Sequence, residues 1–127
     1  MKALVIDDSR VMRRIVASTL KGLGFETEEA GDGREALDRL EAGEVFDLAT
    51  IDWNMPVMNG LELVTAVRQN RDWRDLTLMM VTTESEHGQI VRALAAGAHE
   101  YLIKPFTPDA LMEKLDLLGL LTDKEMS

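Results

Sequence analysis

The chain contains no cysteine, which excludes disulfides and thiolate metal sites and makes a reducing, cytoplasmic setting the expectation. It has no apolar run near the ~18 residues a membrane-spanning helix needs. The N-terminal "MKALVIDDSR" offers only a short apolar run before two aspartates, too short for a signal peptide. Basic residues are few: 14 Lys and Arg against 23 Asp and Glu leave a formal net charge of -9. That balance argues against a surface that tracks nucleic-acid phosphates. The densest basic patch, Arg68, Arg71 and Arg74, reads as a solvated helix end.

What is present is enough for one folded unit. A chain of 127 residues with 46% hydrophobic content fits a single domain with its own core. Short apolar runs alternate with helical patterns throughout. "ALVID" (3–7) reads as a strand buried on both faces, and Val11, Met12, Ile15, Val16 and Leu20 then fall at helical spacing until Gly22 and Gly24. A weak strand spans 25–30. Asp32-Gly-Arg-Glu35 opens a helix carrying Ala36, Leu37 and Leu40, and Gly43 closes it. "FDLATIDWNMPVMNG" (46–60) starts as the third strand and breaks at Asp52. Asn59 then begins a helix that buries Leu63, Val64 and Val67. "LTLMMVT" (76–82) is the fourth strand. Ile90, Val91 and Leu94 stripe the fourth helix, and Glu100 to Ile103 form the fifth strand. Thr107 and Pro108 open the last helix, with Leu111, Leu115 and Leu118 on its apolar face. Five β-α units joined by right-handed crossovers give an α/β fold, a doubly wound parallel sheet with helices on both faces.

In such a sheet, ligands sit beyond the carboxyl ends of the strands. Those ends carry Asp7 and Asp8, Asp52, Thr82 and Thr83, and Lys104 with Pro105. Each has an ordinary structural role available: Asp7 and Asp8 precede a helix, Asp52 precedes a turn at Pro56, and Thr82 suits a strand. One helix needs only one N-cap, however, so capping does not explain the carboxylate on the third strand. Close carboxylates repel by roughly 4 kcal/mol per pair at ~4 Å and an effective dielectric of ~20. They need a counter-charge, or some of them must stay protonated; Mg2+ would supply that charge, and its preference for hard oxygen ligands fits Asp7, Asp8, Asp52 and the backbone carbonyl of Asn54. His87 and His99 read as surface residues, which leaves no soft-metal set. A free carboxylate beside such a metal, faced by Lys104 and Thr82, suits phosphoryl transfer with Asp52 as nucleophile.

These residues resemble the receiver domain of two-component response regulators. The resemblance rests on "VIDDS", "DWNMPVMNGLEL", "VTTES" and "EYLIKPF" and runs over essentially the whole chain. "MRRIV" and the Trp after Asp52 are similar to the stand-alone chemotaxis branch. The resemblance implies a flavodoxin-like (βα)5 receiver fold with strand order 2-1-3-4-5 over residues 1–121. Residues 122–127 form a tail too short for an effector domain. It implies phosphorylation of Asp52 by a phosphohistidine on a sensor histidine kinase of the chemotaxis type, or by a small phosphodonor. It further implies that Thr82 and Lys104 bind the phosphoryl group and that the Lys104–Pro105 peptide is cis. By the same resemblance Tyr101 is expected to be the aromatic switch, its ring turning inward as Thr82 moves toward the phosphoryl group. The output surface then includes Thr83, Glu84, Ile90 and Lys114, on the face made by helix 4, strand 5 and helix 5.

The implied protein is a monomeric cytoplasmic switch, not an enzyme beyond its own phosphotransfer and dephosphorylation. Its partners are the kinase, an output protein such as a motor switch, and a phosphatase. Some residues depart from the chemotaxis pattern. Thr83 stands where alanine is usual, and Glu86 and His87 stand where relatives tend to be basic. A phosphate sink or a non-flagellar receiver is the alternative output. An FMN carrier on the same fold is disfavoured because Asp7 and Asp8 repel a phosphate. A magnesium phosphatase is disfavoured because Asn54 occupies the place of its second acid. A receiver acting without phosphorylation is disfavoured because all the phosphorylation residues are present.

Overall fold

The computed structural model describes residues 1–121. The elements run β1 (Lys2–Ile6), α1 (Arg10–Gly22), β2 (Glu26–Ala30), α2 (Gly33–Glu41), β3 (Leu48–Ile51), α3 (Gly60–Gln69), β4 (Thr77–Thr82), α4 (His87–Ala96), β5 (Glu100–Ile103) and α5 (Pro108–Leu117), with one 3-10 turn at Arg71–Trp73. All strand pairs are parallel, in the order β2-β1-β3-β4-β5. The tail 122–127 lies outside the described residues.

Strand alternation divides the core into two layers. Leu4 and Ile6 of β1 and Leu78 and Met80 of β4 face Leu37, Leu63, Val64 and Ala93. Ala3 and Val5 of β1 and Met79 and Val81 of β4 face Val16, Leu20, Leu111 and Leu115. The sheet is thus covered by α2, α3 and α4 on one side and by α1 and α5 on the other. The edge strand β2 carries Glu26, Glu28 and Glu29, charges that discourage pairing with another chain.

Local chemistry sets the helix starts. Ser9 Oγ accepts from the Met12 N–H, Asp32 from Glu35 and Thr107 from Ala110. Asn59 and Glu62 form a reciprocal capping box at 2.8 and 2.9 Å. Helix α4 is different: its N-cap, Glu86, makes no side-chain capping bond.

Three sequence expectations need correction. Helix α1 buries Val16, Ala17 and Leu20, while Val11 and Ile15 are exposed. Helix α4 buries Ala93 and leaves Val91 and Leu94 exposed. In both helices a small alanine takes the contact with the sheet. Apolar spacing marks a helix but does not say which of two adjacent stripes packs. Arg68, read as solvated, is half-buried and donates to the carbonyls of Gly97, Trp73, Arg74 and Leu76.

Candidate functional site

Parallel pairing brings all strand ends to one edge. Ile6 pairs with Ile51 and Thr82 with Ile103, so Asp7 and Asp52 leave the sheet as neighbours, as do Thr82 and Lys104. The Asp52 N–H donates to the Ile6 carbonyl at 3.0 Å, and the Lys104 N–H to the Thr82 carbonyl at 2.9 Å. Helix α3 begins directly against this point. A Cβ on Gly60 would lie 2.5 Å from the Asp52 carbonyl oxygen, so only glycine lets the helix start this close. The Gly60 N–H donates to the Trp53 carbonyl at 2.8 Å.

Asp7 is 3% exposed and Asp52 9%, whereas Asp8 is open to solvent. One oxygen from each of the three carboxylates falls in a group within 4.8 Å of one another. Asp7 Oδ1 accepts from the Ser9 N–H at 2.9 Å, and Asp7 Oδ2 accepts from Lys104 Nζ at 2.7 Å. The same ammonium stands 4.0 Å from Asp52. Burial pushes the Asp52 carboxyl above its usual range, and the Asp7 charge adds to the shift. The Thr82 hydroxyl, Lys104 and the Trp53 N–H oppose it. Three carboxylates against one ammonium leave the crevice negative, and their hard oxygens suit a small divalent cation. Asn54 is exposed, two residues beyond Asp52.

Thr82 is fully buried, and its Oγ accepts from the Glu84 N–H at 3.3 Å. Tyr101 lies inward in this structure, with its hydroxyl donating to the Glu84 carbonyl at 2.7 Å. Burial first, and then the charges of Glu84 and Asp52, push its pKa up to about 12. Thr83 is exposed and Ile90 is half-buried. Lys114 pairs with Glu100 at 2.8 Å, and that carboxylate also accepts from the Tyr101 N–H. The Lys104–Pro105 peptide is cis. A cavity of about 610 Å3 lined by Phe46, Asp47, Trp73 and Asp75 opens at the opposite end of the sheet. It contains none of these residues, and an open three-carboxylate crevice needs no enclosed cavity to hold an ion.

Comparison with known proteins agrees with this geometry. Residues 3–116 match the model of the response regulator receiver domain. The chain belongs to the response-regulator receiver family. This receiver is 50% identical over 121 residues to a chemotaxis protein CheY homolog of Campylobacter jejuni, covering 94% of this chain and 93% of that one. It is 45% identical over 119 residues to the chemotaxis protein CheY1 of Helicobacter pylori, covering 93% and 96%. Among solved structures, Vibrio cholerae chemotaxis protein CheY4 superposes with a TM-score of 0.84 at 40% identity, covering 91% and 96%.

Four residues that shape this receiver's site escaped the sequence reading. Ser9, not Asp7 or Asp8, caps α1, and its N–H grips Asp7. Gly60 was visible within an Asn-Gly pair, although the close approach was not. Arg13 was visible only as part of "MRRIV", and its contact was not: its Nη1 donates to the Asp7 carbonyl at 2.7 Å. Val57 has φ 69°, rare for a β-branched residue, in a γ-turn closed by the Met58 N–H on the Pro56 carbonyl at 2.7 Å.

Proposed function

We propose that this receiver is a phosphoacceptor switch of a chemotaxis-type two-component pathway, with Asp52 as the acceptor. The observation that carries the reading is the three-carboxylate group within 4.8 Å, faced by a lysine that already stands 4.0 Å from Asp52. Asp7, Asp8, Asp52 and the Asn54 carbonyl would hold Mg2+, which would supply positive charge to the phosphoryl oxygens. An Asp52 oxygen attacks phosphorus in line, and the bond from phosphorus to the donor's histidine nitrogen breaks. The donor is a sensor histidine kinase or a small acyl phosphate. Lys104, which stands between Asp7 and Asp52, would offer its ammonium to one phosphoryl oxygen, and the Thr82 hydroxyl would offer a hydrogen bond to another.

The switch follows from two hydrogen bonds. The Glu84 N–H is held by Thr82 and the Glu84 carbonyl by Tyr101. Drawing Thr82 toward a phosphoryl group pulls on the segment that anchors Tyr101, a local charge event acting on the face of α4, β5 and α5. That face exposes Val91, Leu94 and Ile103 for an output protein. Thr83, Glu86 and His87 tune which output it meets and how long the phosphoryl group lasts. The protein works as a cytoplasmic monomer whose domain spans residues 1–121 and whose product is an altered surface, so it is a switch and not a conventional enzyme. Acetyl phosphate with Mg2+ should label the wild type as an acyl phosphate that base removes. Asp52→Asn should abolish the label, and full labelling of that variant would sink the assignment.

A further inference from the structure

The Mg2+ reading leaves one question of geometry open. Asp7 is gripped at both carboxylate oxygens, but Asp8 is exposed, and its direction depends on the peptide that carries it. That peptide begins at the Asp7 carbonyl. Arg13, the fourth residue of α1, reaches back over the start of its own helix, as helical side chains do. Its Nη1 donates to the Asp7 carbonyl oxygen at 2.7 Å, while its Nε donates to Glu29 Oε1 of β2 at 3.1 Å. The Arg13 side chain is 16% exposed. Its Nη1 lies 3.6 Å from where a Cβ would stand on Gly31, so the guanidinium sits in a notch between the ends of β1 and β2.

We propose that Arg13 is a positioning residue for the metal: it clamps the Asp7 carbonyl against Glu29 and so sets the direction in which Asp8 presents its carboxylate. The proposal rests on the Mg2+ reading above. An arginine fits because two donors of one rigid fork act at once on two acceptors, and a lysine ammonium cannot span them in the same way. Electrostatics alone predicts the opposite sign: removing a cation beside three carboxylates would strengthen their hold on Mg2+. The direction of the change therefore separates orientation from charge.

Mg2+ titration calorimetry on the wild type, Arg13→Ala, Arg13→Lys and Glu29→Ala tests it, with folding checked by circular dichroism. Arg13→Ala should weaken Mg2+ binding about tenfold, as loss of an outer partner of a metal ligand does. Arg13→Lys and Glu29→Ala should weaken it less. Adding Glu29→Ala to Arg13→Ala should change little further, because both act through one clamp. Unchanged or tighter Mg2+ binding by folded Arg13→Ala overturns the proposal. Should Arg13→Ala not fold, Arg13→Lys decides in its place, and wild-type affinity there overturns it. A wild type that takes up no Mg2+ overturns the metal reading itself, a separate outcome.

Discussion

At the amino end of the sheet, Arg68 and His99 form a closed polar cluster. The Arg68 guanidinium donates to the carbonyls of Gly97, Trp73, Arg74 and Leu76, and His99 Nδ1 accepts from the Leu78 N–H at 3.1 Å. At the carboxyl end, Asp7 and Asp52 share the ammonium of Lys104, and Asp8 adds a third, exposed carboxylate beside them. The first cluster joins α3 to the starts of β4 and β5 and has its donors matched to acceptors. The second keeps unbalanced charge near buried positions, which costs stability and leaves room for a cation. The first cluster is closed, whereas the second is left open to a ligand.

Breaking the closed cluster should give the largest loss of stability. Arg68→Ala strips several half-buried carbonyls of their donor, so urea unfolding should show about 2–3 kcal/mol lost. Mg2+ affinity measured on the folded variant should stay unchanged, and a large loss there would mean that the two ends are coupled.

The open cluster should respond in the opposite direction. The raised pKa of Asp52 means that its ionised form is disfavoured in the fold, a cost present above the folded pKa and absent below the unfolded value near 3.8. Asp52→Asn should therefore stabilise the Mg2+-free protein by about 1 kcal/mol or more at pH 8. The gain should shrink toward pH 4, and a destabilised variant at pH 8 would contradict the electrostatic account.

Val57→Gly should stabilise by about 1 kcal/mol, because glycine adopts the positive φ without strain. Val57 is 80% exposed, so little packing is lost. A melting temperature no higher than the wild type would show that the γ-turn is unstrained.

The smallest effect should come from His99. Burial and the Arg68 charge lower its pKa below 6.5, and protonation of Nδ1 would end its bond from Leu78. The unfolded chain takes up the proton first, so stability is full above about pH 6.5 and falls as pH drops through the folded value. His99→Asn should flatten this part of the pH profile, and a slope identical to the wild type would assign it to other groups.

How far the sequence carried varies residue by residue. Asp32, Asn59 and Thr107 announced their helices because a cap is a local bond over three residues. Asp7, Asp8, Asp52, Thr82 and Lys104 were legible as a set because a parallel sheet sends every strand end to one edge. Arg68 was misread because its acceptors come from the turn after α3 and the loop after α4. Val11, Ile15, Val91 and Leu94 were misassigned because helical periodicity is blind to rotation by one stripe.

By itself, the sequence determined the β-α alternation, the helix starts and the edge at which acidic residues and lysine meet, since all three follow from short-range rules. Only the tertiary structure decided which carboxylates are buried and which is exposed. It alone placed Lys104 between Asp7 and Asp52, turned Tyr101 inward onto Glu84 and set Arg13 behind the Asp7 carbonyl. The Lys104 and Tyr101 contacts join elements far apart in the chain, and Arg13, though close to Asp7 in sequence, is aimed by Glu29 of β2; packing rather than local preference fixes each side chain.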